Sequence, residues 1–195
     1  MKTFFGGYLS QHILTLPLPS QANEKLLTMR LILITLCLSA CIAGCKDRKQ
    51  EAELAKKLAT LPQVNTLALD STTVINITEK SKGFPVVVMF FDPDCHTCQK
   101  ETELLTTKYN ELANLKIYML SIENTEKLKQ FSKHYRLESF PNITVVKDHT
   151  YSLINTFKVK SIPSMLLYDE NHRLVQAYEG VADFSKIKQL IGATL

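Results

Sequence analysis

The spacing of apolar residues changes character along this chain. From Leu31 to Cys45 they form a nearly unbroken run, LILITLCLSACIAGC, which gives way at once to the charged stretch KDRKQEAELAKKLA over residues 46–59. A bilayer-spanning helix needs about 20 apolar residues, so a run this short fits the core of a secretory signal. Leu54 and Leu58 stand one helical turn apart in the charged stretch, which predicts a spacer with a helical start. Beyond it, NTLALD (65–70) and TTVINIT (72–78) read as short strands separated by Ser71, and FPVVVMFF (84–91) as a continuous apolar strand covered on both faces. Leu104, Leu105, Tyr109, Leu112 and Leu115 recur as one side of a long helix. LKIYMLSI (115–122) is the next strand, and NTEKLKQFSKHY (124–135) a helix with Leu128 and Phe131 inward.

The remaining pattern closes the domain. NITVVKD (142–148) reads as a strand or an irregular crossing segment, and YSLINTF (151–157) as a short helix. SMLLYD (164–169), the turn ENHR and LVQAYEG (174–180) predict a hairpin, followed by a helix carrying Val181, Phe184, Ile187, Lys188 and Ile191 near a helical period. Strand and helix alternate, so the expected class is α/β, a sheet with crossover helices in one domain over residues 62–195.

Composition changes this picture little. With 195 residues, 45% of them hydrophobic, the chain can bury one substantial core. A net charge of +4, with basic and acidic residues interspersed, offers no stripe for nucleic acid.

The segment IAGC at 42–45 resembles the lipobox of bacterial lipoproteins, with a hydrophobic stretch before it and an abrupt polar change after it. LSAC at 38–41 fits the pattern too, but it would leave a second apolar segment attached. The resemblance implies a signal peptide over residues 29–44, lipid on Cys45, a lipidated tether over 45–61, and a protein held on the extracytoplasmic side of a bacterial membrane. Residues 1–28 then precede the natural charged start of the signal and are expected to be a non-native upstream extension. Of the five cysteines, Cys37 and Cys41 would leave with the signal and Cys45 would carry lipid. Cys95 and Cys98 would remain.

These two lie in FFDPDCHTCQKE, where a strand is predicted to end and a helix to begin. Unpaired amide hydrogens of the first helical turn, the positive helix end and exposure at the sheet edge converge on a Cys95 thiolate. Cys98, one turn on, is placed to resolve a mixed disulfide. A disulfide between them closes too small a loop to be a major staple. A zinc site needs two further ligands, yet His134, His149 and His172 show no paired spacing, and His96 adjoins the thiols too closely for tetrahedral convergence. Working dithiol, metal clamp and inert bridge therefore all stay open at this point.

FPVVVMFFDPDCHTCQKE, followed by FKVKSIPSMLLYD, resembles the thioredoxin-like superfamily, most closely its secreted TlpA and ResA type of thiol-disulfide oxidoreductase, over residues 66–195. The resemblance implies a thioredoxin-like fold with a central mixed sheet flanked by helices. It makes Cys95 the nucleophile, Cys98 the resolving thiol and Pro163 the cis-proline facing them. A cis Ile162–Pro163 bond would leave nearby backbone groups free to hold an extended substrate.

The chain departs from the family at several positions. Asp94 stands where many relatives have tryptophan, and His96 and Thr97 replace a glycine-proline interior. Protonated His96 would favour a Cys95 thiolate and Asp94 would oppose it, so these residues are candidates for tuning the pair in opposing senses. Met89 stands where cytoplasmic thioredoxins carry a buried acid. Glu79 is the nearest upstream carboxylate and is expected to be an exposed turn residue, while Glu101 and Glu103 simply favour the first helical turns. A peroxidase would place threonine three residues before its reactive cysteine, and that spacing fails here.

The function implied is disulfide exchange with extracytoplasmic protein thiols or disulfides, as a reductase fed by a membrane electron-transfer partner and needing no cofactor. The contrasting class is a noncatalytic lipoprotein using the same surface to bind protein or metal.

Overall fold

A computed structural model describes Lys25, residues 28–34, Lys49, residues 51–63 and residues 65–192. The chain divides into a unit from Met1 to Gln50 and a unit from Glu51 to Leu195. In the first, residues 28–34 are helical and exposed, and the Thr28 hydroxyl donates to the Lys25 carbonyl at 2.9 Å. Cys45 and most of residues 1–28 lie outside the described residues. Among the described residues no helix is long and apolar enough to cross a membrane.

The second unit runs α1 (residues 51–58), β1 (Asn65–Leu67), β2 (Val74–Asn76), α2 (Ile77–Lys80), β3 (Val86–Phe90), α3 (His96–Thr107), β4 (Lys116–Ser121), α4 (Thr125–His134), β5 (Ile143–Lys147), α5 (Ser152–Thr156), β6 (Ser164–Tyr168), β7 (Leu174–Glu179) and α6 (Phe184–Gly192). The strands form one mixed sheet in the order β2-β1-β5-β4-β3-β6-β7. β3, β4 and β5 are parallel, while β6, β7, β1 and β2 join antiparallel.

Every residue of β3 is buried because successive side chains enter different cores. Val87 and Met89 face the layer of α3, α4 and α6, packing with Cys98, Leu105, Leu128, Phe131 and Ile187. Val86, Val88 and Phe90 face the opposite layer, packing with Leu58, Leu61, Ile77, Leu153 and Phe157. This double burial explains why an unbroken apolar run, rather than an alternating one, makes the strand.

Several boundaries differ from the sequence expectation, each for a local reason. NTLALD leaves the sheet after Leu67 because the Asp70 carboxylate accepts from the backbone N–H of Thr72 and Thr73 at 2.9 and 2.8 Å, building a turn with Ser71 at φ 65°. TTVINIT stops being strand at Asn76, whose side chain accepts from Glu79 N–H at 2.9 Å and caps α2. α3 ends at Thr107 instead of running on to Leu115. The Thr106 and Thr107 hydroxyls both donate to the Glu103 carbonyl, at 3.0 and 2.8 Å, and Leu112 packs from a separate 3-10 turn over Tyr109–Leu112. Leu104 and Val181, expected inward, are 41% and 57% exposed. Lys188 is an exposed partner of Glu111 at 3.6 Å.

The predicted tether also contributes to the second unit. Leu58 and Leu61 are buried and Leu54 packs beside them. Leu61 N–H donates to the His172 carbonyl at 2.8 Å and Leu174 N–H to the Ala59 carbonyl at 2.9 Å, so residues 59–61 are laced to the start of β7. The unit consequently includes residues upstream of 62.

Candidate active site

The site is built where β3 runs out. Asp92 closes the turn by accepting from Asp94 N–H at 2.8 Å through its side chain and from Cys95 N–H at 3.1 Å through its carbonyl. Gln99 then ties back, its side-chain amide donating to the Pro93 carbonyl at 2.8 Å. These bonds deliver Cys95 to the capping position just ahead of α3 in extended conformation (φ −75°, ψ 110°), where its sulfur accepts from Cys98 N–H at 3.3 Å. A sulfur in this position meets the unpaired amide hydrogens and the positive end of the helix. No acidic residue stands in the first turn of α3 to offset that positive end.

Both cysteines are free, Cys95 partly exposed and Cys98 buried. Burial foremost, and then the hydrogen bond with Cys95, push the Cys98 thiol up to about 12, against a backbone N–H of Asp92 that pulls it down. The two sulfurs are thus chemically unlike: one reaches solvent at a helix N-terminus, the other is held protonated beneath it.

Facing them, the Ile162–Pro163 peptide is cis, and the Ile162 carbonyl lies 4.0 Å from Cys95 Sγ. The adjoining Pro163 carbonyl accepts from Gly180 N–H at 2.8 Å, which fixes this loop to the end of β7. Ile162 is 39% exposed and with Phe90, Phe91, Leu120, Ile122 and Ile154 lines a small, mainly apolar notch that Asp92 and Ser121 complete.

The tuning candidates lie at the surface around Cys95. His96 and Thr97 are exposed on the first turn of α3. Asp94 is exposed and paired with Lys127 of α4, 2.6 Å away. Glu79 lies on α2, exposed and bridged to Lys82 at 2.6 Å. Met89 is buried within β3.

Glu101 is the residue that sequence reasoning missed. It is fully buried on α3, one turn beyond Cys98 and on the same face, with one oxygen accepting from Ala182 N–H at 2.8 Å and the other without a partner in the structure. Burial raises its pKa, and the Ala182 N–H offsets only part of that. Its position in the sequence did not mark it out: Cys98, Glu101, Thr102 and Leu105 share one helical stripe, and it is the fold that buries all four. Among the described residues, no group of three or more His, Cys, Asp or Glu side chains is arranged to hold a metal ion.

Comparison with known proteins agrees with this architecture. Residues 83–174 match the protein family described as thioredoxin-like. No curated protein matches the chain. Among solved structures, the chain is similar to a secreted Mycobacterium tuberculosis disulfide oxidoreductase homologous to DsbE of E. coli, with 15% identity, 71% of this chain and 98% of that one covered, and a TM-score of 0.57. The thioredoxin domain of a thiol-disulfide oxidoreductase from Bacteroides vulgatus gives 20% identity, coverage of 69% and 96%, and a TM-score of 0.57. A peroxiredoxin 6 from Arenicola marina gives 12% identity, coverage of 69% and 71%, and a TM-score of 0.60. At these identities the likeness establishes the fold.

Proposed function

We propose, from the match of residues 83–174 to the thioredoxin-like family and from the geometry of the two cysteines, that the protein is a thiol-disulfide oxidoreductase that exchanges disulfides with extracytoplasmic protein substrates through Cys95 and Cys98. It is held at the membrane by lipid on Cys45 and works as a reductase supplied by a membrane electron donor. The observation that carries the chemistry is the Cys95 sulfur capping α3, partly exposed, above a buried protonated Cys98. Two of the similar structures are named as disulfide oxidoreductases, one of them secreted, which supports both the activity and the compartment.

In the reductive direction, the Cys95 thiolate attacks one sulfur of a client disulfide. A Cys95–client bond forms, the client S–S bond breaks, and the departing client thiolate takes a proton from solvent. Cys98 then gives up its proton and attacks Cys95 Sγ, forming the Cys95–Cys98 bond and releasing the second client thiol. Two electrons have passed to the client, and an external dithiol restores the pair. Because Cys98 is held protonated, its proton needs an acceptor, and the Glu101 carboxylate one turn away has an oxygen without a partner. The cis-proline loop presents the Ile162 carbonyl beside Cys95, where an extended client backbone can lie.

The direct test is the reduction potential of the chain from Lys46 onward, measured by equilibration with glutathione mixtures. A value well below about −200 mV is expected for a reductase, and one near about −120 mV would reverse the assigned direction. Cys98→Ser is expected to trap a mixed disulfide through Cys95, and Cys95→Ser to abolish exchange with the fold retained. A chain that never cycles would end the oxidoreductase reading.

A further inference from the structure

The residue preceding the candidate nucleophile is an aspartate whose charge is already engaged. Lys127 Nζ lies 2.6 Å from Asp94 Oδ2 and 3.2 Å from Glu123 Oε2. Lys127 and Glu123 are largely covered, 28% and 29% exposed, whereas Asp94 is 76% exposed. Both ends of the contact are set by backbone bonds. Asp94 N–H is held by Asp92 Oδ1 at 2.8 Å, and Lys127 N–H by the Asn124 cap of α4 at 2.9 Å.

An exposed ion pair contributes little to folding, so stability alone is a weak reason for this arrangement. Its local effect on charge is more direct. A carboxylate beside a thiol disfavours the thiolate, and an ammonium that pairs with the carboxylate removes most of that opposition. We propose that Lys127 is a positioning residue for the dithiol: by gripping Asp94 and Glu123 it fastens the cysteine loop to α4 and cancels the negative charge next to Cys95, making that sulfur readier to react as a thiolate. This rests on the oxidoreductase reading and adds to it a residue from outside the cysteine segment.

The other titratable groups of the neighbourhood are Asp92, whose charge opposes ionisation of Cys98, and His96 on the loop, Cys98 and Glu101, buried on α3, and Lys160 on the segment leading to Ile162. Among the described residues, Lys127 is the one ion-pair partner of Asp94. The hydrogen bond that Lys127 donates to the Asp94 carboxylate is also the largest of the influences that raise the Lys127 pKa, so the two charges support one another.

The test uses the purified chain in mild detergent, with the iodoacetamide alkylation rate of Cys95 followed from pH 4 to 9 and the thiol-disulfide equilibrium with glutathione measured in parallel. Lys127→Met is expected to move the alkylation profile to higher pH, with rates on its rising limb lower by about threefold to tenfold. The glutathione equilibrium should shift toward the protein disulfide. Lys127→Arg should stay within about twofold of the wild type, because the charge is kept. Asp94→Asn should recover most of the loss in the Lys127→Met background, and alone, with α4 untouched, it should react at least as fast as the wild type. At 1 M salt the differences should shrink.

Wild-type behaviour in Lys127→Met, a loss that Asp94→Asn fails to recover, or an Arg variant as slow as the Met variant would overturn the assignment. Exchange that proceeds normally without any dependence on Lys127 defeats this inference alone. A wild-type chain that does not exchange with glutathione defeats the oxidoreductase reading, and this one with it.

Discussion

The difference between Cys95 and Cys98 comes from the space of one helical turn. The first sulfur takes the place of a capping oxygen, and the second is enclosed by the core. Iodoacetamide at pH 7–8 should therefore label Cys95 and spare Cys98 in the folded chain, as peptide mass spectrometry would show. Equal labelling would contradict the burial of Cys98. Glu101 adds a second residue-scale contrast. Its folded pKa is raised above the ordinary 4.5, so below pH 4.5 it is protonated in both folded and unfolded chains and costs the fold nothing. As pH rises from 4.5 through the folded value, the unfolded chain ionises more readily and the native state loses stability. Glu101→Gln should consequently raise the melting temperature at pH 7, with the gain fading below pH 4.5. The same substitution should slow resolution of the mixed disulfide by about tenfold to hundredfold. The place of Cys95 at the start of α3 was legible from the position of the pair between strand and helix. Glu101 was not, because a carboxylate in an early helical turn is ordinarily an exposed favourable charge, and only the loop at Ala182, distant in sequence, turns this one into a buried acceptor.

Elements were legible in proportion to how far their side chains decide their own burial. VVVMF could only be a doubly covered strand, and the SMLLY and LVQAYE runs with ENHR between them could only be a hairpin. Ends were less legible, since they depend on single polar atoms: the Asp70 carboxylate after β1, the Asn76 amide before α2, the threonine hydroxyls at the end of α3. The Asp70 turn makes an element-scale prediction. Hydrogen bonds from the Thr73 side chain and backbone, then from Thr72, lower its pKa from 3.8 to about 2. Its contribution is present above pH 3.8 and is lost as pH falls from there toward about 2. Asp70→Asn should reduce hydrogen-exchange protection in the β1–β2 hairpin near neutral pH and make no difference at the acid end of that range. A deficit that persists unchanged to pH 2 would mean that the carboxylate charge is not what holds the turn.

At the scale of the whole molecule, α1 and the strip behind it belong with the sheet. Leu58 is buried on the face opposite α3, so Leu58→Ala should destabilise the domain by about 2–4 kcal/mol in denaturant titrations. Removing residues ahead of Glu51 should leave that stability unchanged, whereas removal up to Pro62 should lower it. The sequence did not disclose this because KDRKQEAELAKKLA carries so many charges that its two leucines look incidental until Ile77, Phe157 and Tyr168 are seen around them.

The lacing of residues 59–61 onto β7 also gives the molecule a load path. Tension applied to the chain ahead of Glu51 reaches the sheet through the Leu61–His172 and Ala59–Leu174 hydrogen bonds, at the edge hairpin. The strand that leads to Cys95 is β3, inside the sheet, clamped by five paired positions on each side. Strain would peel the rim first, leaving the sulfurs mechanically sheltered.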